Sequence, residues 1–177
     1  MQKKSFDEYY KPAEDTLFLA DSIQNEKGKT ALDIGTGSGF LARILSDNFE
    51  FVVATDINFS ALQKAHEVVE NCICCNASDA INCNFDLVVC NLPYLPSEEI
   101  TDPAVDGLAE GLGVTTNIIK SASKTIRQNG KLVYLTSSLA NYQELVRRTE
   151  GLGFSVRIMA KKKLFFEELV LVECVKL

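Results

Sequence analysis

Short apolar runs alternate with helix-length segments along most of this chain, and that alternation limits its fold more than any other feature. Thr30–Ile34, Phe51–Thr55, Cys72–Cys75, Phe85–Cys90 and Lys131–Thr136 read as strands. Phe40–Ser46, Ser60–Glu70 and Leu139–Glu150 read as helices, as does Val114–Arg127, closed by Asn129-Gly130. Strands that are almost wholly apolar and separated by helices build a parallel sheet covered on both faces. Phe154–Met159 and Leu164–Val175 have no helix between them. They must therefore close the sheet as an antiparallel hairpin, with the basic run Lys161–Lys163 at their junction. The expected fold is α/β, a seven-stranded, mostly parallel sheet with helices on both faces and a C-terminal antiparallel hairpin. A length of 177 residues suits one domain spanning 1–177.

The first strand ends in Asp33-Ile34-Gly35-Thr36-Gly37-Ser38-Gly39. Glycines let the backbone turn tightly and approach a ligand. In open α/β sheets of this Rossmann-like kind, ligands bind beyond the carboxyl ends of the strands. The spacing is Gly-x-Gly-x-Gly, not the Gly-x-Gly-x-x-Gly of dinucleotide folds. Asp56 ends the second strand, 21 residues after Gly35, where a carboxylate can accept from two ribose hydroxyls. Asp79 follows the third strand and suits the exocyclic amine of an adenine, while Asp33 suits an ammonium group. Three carboxylates at successive strand ends beside a glycine turn point to a nucleoside cofactor.

Asn91-Leu92-Pro93-Tyr94 follows the fourth strand directly. The nitrogen of a planar amide or aromatic amine is a weak nucleophile because its lone pair is delocalised. The Asn91 side-chain oxygen and the Leu92 carbonyl can each accept one of its N–H bonds, favouring the positive charge that grows as it is alkylated. Pro93 stiffens the loop, and the Tyr94 ring can pack on a flat substrate group.

These residues also carry a resemblance. Tyr10-Lys11-Pro12-Ala13-Glu14-Asp15-Thr16 resembles the Tyr-x-Pro-x-Glu-Asp-Thr signature of HemK-like methyltransferases, in particular the archaeal and eukaryotic branch that modifies class 1 peptide chain release factors. Asp33–Gly39 resembles that family's first cofactor motif, and Asn91–Tyr94 stands where the family has Asn-Pro-Pro-Tyr. Asp106–Gly111 and Phe165–Leu171 extend the likeness over nearly the whole chain. The resemblance implies S-adenosyl-L-methionine (SAM) as cofactor and methylation of the glutamine in a Gly-Gly-Gln motif. It implies that Thr16, Asp33, Gly35, Gly37, Asp56, Ile57, Asp79, Ala80 and Asn91 contact SAM. Asn91, Leu92, Pro93 and Tyr94 would hold the substrate amide. It also implies a helical segment over residues 1–28 covering the cofactor site, a small zinc-binding activator subunit as partner, and no catalytic metal.

Leu92 replaces the family's first proline, and Asn-Leu-Pro-Tyr is typical of ribosomal RNA adenine dimethyltransferases. A nucleic-acid adenine N6-methyltransferase is therefore the rival reading, and a non-catalytic SAM-binding protein is the alternative of another class. Net charge of -6 opposes wrapping of phosphate backbones. Leu92 to Ile119 holds no Lys or Arg but carries Glu98, Glu99, Asp102, Asp106 and Glu110, an acidic rim suited to a basic protein partner. No apolar run approaches the roughly 18 residues of a bilayer span, and Met1–Tyr10 lacks a signal-peptide core, so the cytosol is the expected location. The six cysteines, without paired Cys-x-x-Cys spacing and with one histidine, read as small buried thiols on strands.

Overall fold

The computed structural model describes residues 12–93 and 112–177. Tyr94, Asp106–Gly111 and the acidic residues from Glu98 to Glu110 lie outside the described residues, as do Tyr10 and Lys11. The elements run α1 (Glu14–Ile23), β1 (Gly28–Ile34), α2 (Phe40–Leu45), β2 (Phe49–Asp56), α3 (Phe59–Ala65), β3 (Asn71–Cys74), β4 (Phe85–Asn91), α4 (Leu112–Ser123), β5 (Ile126–Ser137), α5 (Tyr142–Gly151), β6 (Phe154–Lys163) and β7 (Glu168–Lys176).

The strands form one sheet in the order β3-β2-β1-β4-β5-β7-β6. β1 to β5 pair in parallel, and β7 runs antiparallel to both β5 and β6. This is the expected sheet with its closing hairpin. Alternation along each strand divides the core. Leu32, Ile34, Val88, Leu132 and Val172 share one face with Ile119 of α4 and Leu145 of α5. Ala31, Ala54, Val89, Val133 and Leu171 share the other with Leu19 of α1 and Leu41 of α2. The chain leaves β1 toward β2 and β3, then returns to lay β4 on the opposite side of β1. The cleft between the carboxyl ends of β1 and β4 is thus the switch point where such sheets hold ligands.

Several boundaries differ from the sequence reading. α3 ends at Ala65 rather than Glu70, because tight backbone bonds from Glu67 to Lys64 and Val68 to Ala65 close it early. Asn129-Gly130 does not stop a helix. It lies inside β5, where Asn129 takes φ 61 and the register against β4 shifts, a bulge rather than a cap. β6 runs to Lys163, so the three lysines belong to a strand end. The cysteines also depart from expectation. Cys90 and Cys174 are buried, but Cys74 and Cys83 are exposed and Cys72 and Cys75 are half-buried. β3 is an edge strand of four residues, too short and too peripheral to bury its thiols.

Gly39 fixes how closely α2 approaches its neighbours. Its φ is +83, and an added Cβ would stand 2.9 Å from Val68 Cγ2 and 3.0 Å from Ala65 Cα. Gly39→Ala is expected to lose about 2–4 kcal/mol of stability, combining left-handed strain with overpacking. Urea denaturation of the variant checks this.

Candidate active site

The glycine turn after β1 is held by the end of β2. Thr55 O accepts from the backbone N–H of both Gly35 and Thr36, each at 2.9 Å. Asp56 Oδ2 accepts from Gly37 N at 2.9 Å, and its Oδ1 accepts from Asn58 N at 2.8 Å. Asn58 in turn caps α3, accepting from Ser60 N at 2.9 Å. Gly35 and Gly37 have φ of +71 and +56, and an added Cβ at either meets nothing within 4 Å. Their outer faces therefore open on empty space, whereas Gly39 is packed.

Asp33 lies beneath this turn with no exposed surface. Its Oδ2 accepts from Thr36 Oγ1 at 2.6 Å and from Ala42 N at 3.1 Å, tying the turn to α2. Its Oδ1 is buried without a hydrogen-bond partner. Burial raises its pKa from 3.8 to about 6, against the lowering effect of the Thr36 and Ala42 bonds, and Asp56 adds a smaller upward push. The folded protein thus holds the Asp33 proton more tightly than the unfolded chain. The stability this gives is complete below pH 4 and is lost as pH rises through 6. A shift of this size corresponds to about 3 kcal/mol. Asp33→Asn cannot ionise, so its stability relative to the parent should improve by up to about 3 kcal/mol between pH 4 and pH 8. Urea titrations at several pH values read this, and a pH-independent difference would count against it.

A cavity of about 630 Å³ opens at the switch point, a size that accommodates cofactor-sized ligands. Gly35, Asp56 and Ile57 line it from the β1 and β2 ends, and Asn91, Leu92 and Pro93 from the β4 end. Asp15 enters from α1, and Val114 and Ile118 from α4. Asn76 and Ala77 close the third side. Of the expected residues, Asp79 and Ala80 are exposed and fall just past that wall. Asp79 Oδ1 instead accepts from Ser121 Oγ at 2.6 Å. Gly37 acts through its bond to Asp56. Sequence reasoning missed Ala77, Val114 and Ile118, since small and apolar residues in such positions carry no chemical signal, and Asn76, which reads as an ordinary loop residue after β3. Among the described residues, no group of three or more His, Cys, Asp or Glu could hold a metal, and no helix is long and apolar enough to cross a membrane.

The β4 end holds the most informative contact. Asn91 Nδ2 donates to Asp15 Oδ2 at 3.1 Å and lies 3.5 Å from Thr16 Oγ1. A carboxylate only accepts, so Asp15 requires the NH2 of the carboxamide on its side. The Asn91 Oδ1 is left buried with no hydrogen-bond partner. Beside it, Leu92 buries its side chain and donates its backbone N–H to Leu135 O at 3.1 Å. Asp15 stood in the quoted signature, but sequence alone gave no sign that it would reach the strand-end carboxamide 76 positions away.

A glycine turn, a strand-end carboxylate and a carboxamide with a buried, unpartnered oxygen thus meet at one switch point of a Rossmann-like sheet. The chain belongs to the methyltransferase small domain family, whose model matches residues 11–166. It is 28% identical to a protein of Methanocaldococcus jannaschii provisionally named protein N5-glutamine methyltransferase, over 96% of this chain and 93% of that one. A chain in the structure of the E. cuniculi Mtq2-Trm112 complex, described as responsible for methylation of the eRF1 translation termination factor, superposes with a TM-score of 0.79. Its identity is 29%, covering 95% of this chain and 98% of that chain. Ribosomal RNA small subunit methyltransferase C of Haemophilus influenzae is 30% identical over 77% of this chain, which spans only 41% of that relative.

Proposed function

We propose that this protein is a SAM-dependent N-methyltransferase acting on the side-chain amide of the glutamine in the Gly-Gly-Gln motif of a class 1 release factor. The single observation behind this reading is the buried, unpartnered Asn91 Oδ1, in a carboxamide whose orientation is fixed by the bond from Nδ2 to Asp15. A buried acceptor without a partner costs about 1–3 kcal/mol, and an incoming N–H removes that cost. Two proteins matched over nearly their full lengths at 28% and 29% identity bear a name or description of this type.

The residues present fit SAM. The open faces of Gly35 and Gly37 form a cradle that side chains would fill. Asp56 stands at the strand end suited to the ribose hydroxyls. Ile57, Ala77 and Ile118 offer apolar walls to a base. Thr16 and Asp33 would hold the amino-acid end, Asp33 through its unpartnered Oδ1. Asp79 and Ala80 would reach the adenine edge. When bound, SAM supplies an electrophilic methyl group on a sulfonium.

Asn91 Oδ1 and the Leu92 carbonyl would accept the two N–H bonds of the glutamine amide. That grip would hold the amide so that the electrons of its nitrogen can face the methyl group. Both oxygens would stabilise the positive charge that grows on nitrogen as it takes the methyl group and the sulfur–carbon bond of the sulfonium breaks. Pro93 limits the motion of the loop, and Tyr94 would cover the amide face. The extra proton passes to water after transfer. A small activator subunit is part of this reading, by analogy with the E. cuniculi complex.

The test offers methyl-labelled SAM with a release factor, its Gln→Ala variant in the Gly-Gly-Gln motif, or ribosomal RNA. Label in the unmodified release factor alone is expected. Label in RNA alone would move the assignment to adenine methylation, and binding of SAM without transfer to either would leave a non-catalytic protein.

A further inference from the structure

The turn between β6 and β7 carries two bare aromatic side chains. Phe165 is 91% exposed and Phe166 86%, and their rings meet edge to face with centroids 4.6 Å apart. Such exposure usually accompanies a floppy tip, but this turn is pinned. Leu164 N donates to Glu167 O at 2.8 Å. Ser138 N donates to Glu168 O at 2.8 Å, and Glu168 N donates to Ser138 Oγ at 2.9 Å. Ser137 Oγ donates to Glu167 Oε2. The turn is therefore fastened to the carboxyl end of β5.

The register fixes where this tip points. Asn91 pairs with Leu135, Leu135 with Leu171, and Ser137 with Leu169. The tip thus projects beyond the same sheet end as the cavity. Two strand spacings sideways and about five residues of rise put it roughly 20 Å from Asn91. That is too far to touch the reacting side chain, and suits a second contact on a macromolecule.

Three lysines flank the aromatics. Lys161 is engaged by Glu168 at 2.7 Å and Tyr142 OH at 3.0 Å. Among the described residues no ion pair is recorded for Lys162 or Lys163, and Lys163 is exposed. Rigid aromatics bind at low entropic cost and dominate interfaces when they fill an apolar pocket. A cationic flank on a chain of net charge -6 favours a local acidic surface on the partner.

We infer that the Phe165-Phe166 tip with Lys162 and Lys163 is a docking surface for the body of the protein substrate, filling an apolar pocket rimmed by carboxylates. This rests on the protein-substrate reading above. It separates recognition of the protein's body from capture of its amide.

The test compares the parent with Phe165→Ser/Phe166→Ser and with Lys163→Glu, using intact release factor, a short peptide spanning its Gly-Gly-Gln tip, and ribosomal RNA. Direct binding and methylation are both measured. The aromatic double variant should bind intact release factor about tenfold or more weakly, with unchanged SAM affinity and unchanged peptide turnover. Lys163→Glu should slow association at low salt. Equal binding of release factor by parent and variant overturns the inference, as does equal loss toward peptide and intact protein. Weaker binding of RNA alone overturns it in favour of a nucleic-acid contact. Failure of the parent to bind release factor also overturns it. Methylation of release factor with no docking loss leaves the proposed activity standing, so the two failures are distinct.

Discussion

Asn91→Ala is expected to reduce methyl transfer by about 10²- to 10³-fold in kcat, the usual loss when one oriented group facing developing charge is removed. The residue ends a strand and is half-buried, and its side chain contacts Asp15 and Thr16 without filling a core position. The thermal midpoint should therefore shift by only a few degrees, and SAM affinity should fall by less than about tenfold. Single-turnover kinetics with calorimetric SAM titration separate these quantities. An unfolded variant, or one with full kcat, would remove Asn91 from its assigned role.

The second large effect belongs to Asp15. Its carboxylate accepts from the Asn91 NH2 and so fixes which way round the carboxamide lies. Asp15→Ala releases that choice, at the cost of one charge-assisted hydrogen bond worth about 1.5–3 kcal/mol. The expected result is a kcat lower by about 10- to 100-fold, with KM for SAM nearly unchanged. Asp15→Asn should retain part of the activity, because its own carboxamide oxygen can still accept. A swap is more telling. Asn91→Asp alone sets two carboxylates about 3 Å apart, which forces one to stay protonated. Adding Asp15→Asn restores a donor-acceptor pair with the roles exchanged, so the double variant should outperform Asn91→Asp. Additive losses in this cycle would show that Asp15 does not act through Asn91.

Much of the fold was readable because strand and helix patterns carry strong periodic signals. Leu32 and Ile34 sit opposite Ala31 and Asp33 as a two-face pattern requires. The closing hairpin followed from one missing helix between two apolar runs. The errors came where local chemistry has two meanings. Asn129-Gly130 suits a helix end and a bulge equally, and only pairing with β4 decides between them. The helical pattern of Ser60–Glu70 continued past the point where Ala65 and Val68 pack against Gly39.

The site was legible at its polar corners. Gly35, Asp56, Asn91 and Leu92 do meet around one cavity. Asp33 was expected at the mouth of the first strand, and its further bond to Ala42 in the next helix is a tie that a one-dimensional pattern does not encode. The apolar wall from α4 was invisible for the same reason, since Val114 and Ile118 resemble any core-facing residues. The reach of Asp15 to Asn91 joins two segments that share no local pattern at all.

The bonds from Thr55 and Asp56 that hold the glycine turn involve only β1 and β2 and what directly follows them. The proposed amide grip stands on β4 and α1, and the aromatic tip on the last hairpin. In the proposed reading the two functions overlap at α1 and β4, where Thr16 and Asn91 would also serve the cofactor, whereas the aromatic tip shares no side chain with either. Over evolutionary time, sequence drift confined to that hairpin would then redirect such an enzyme to a new acceptor while the residues proposed to hold the methyl source stay intact.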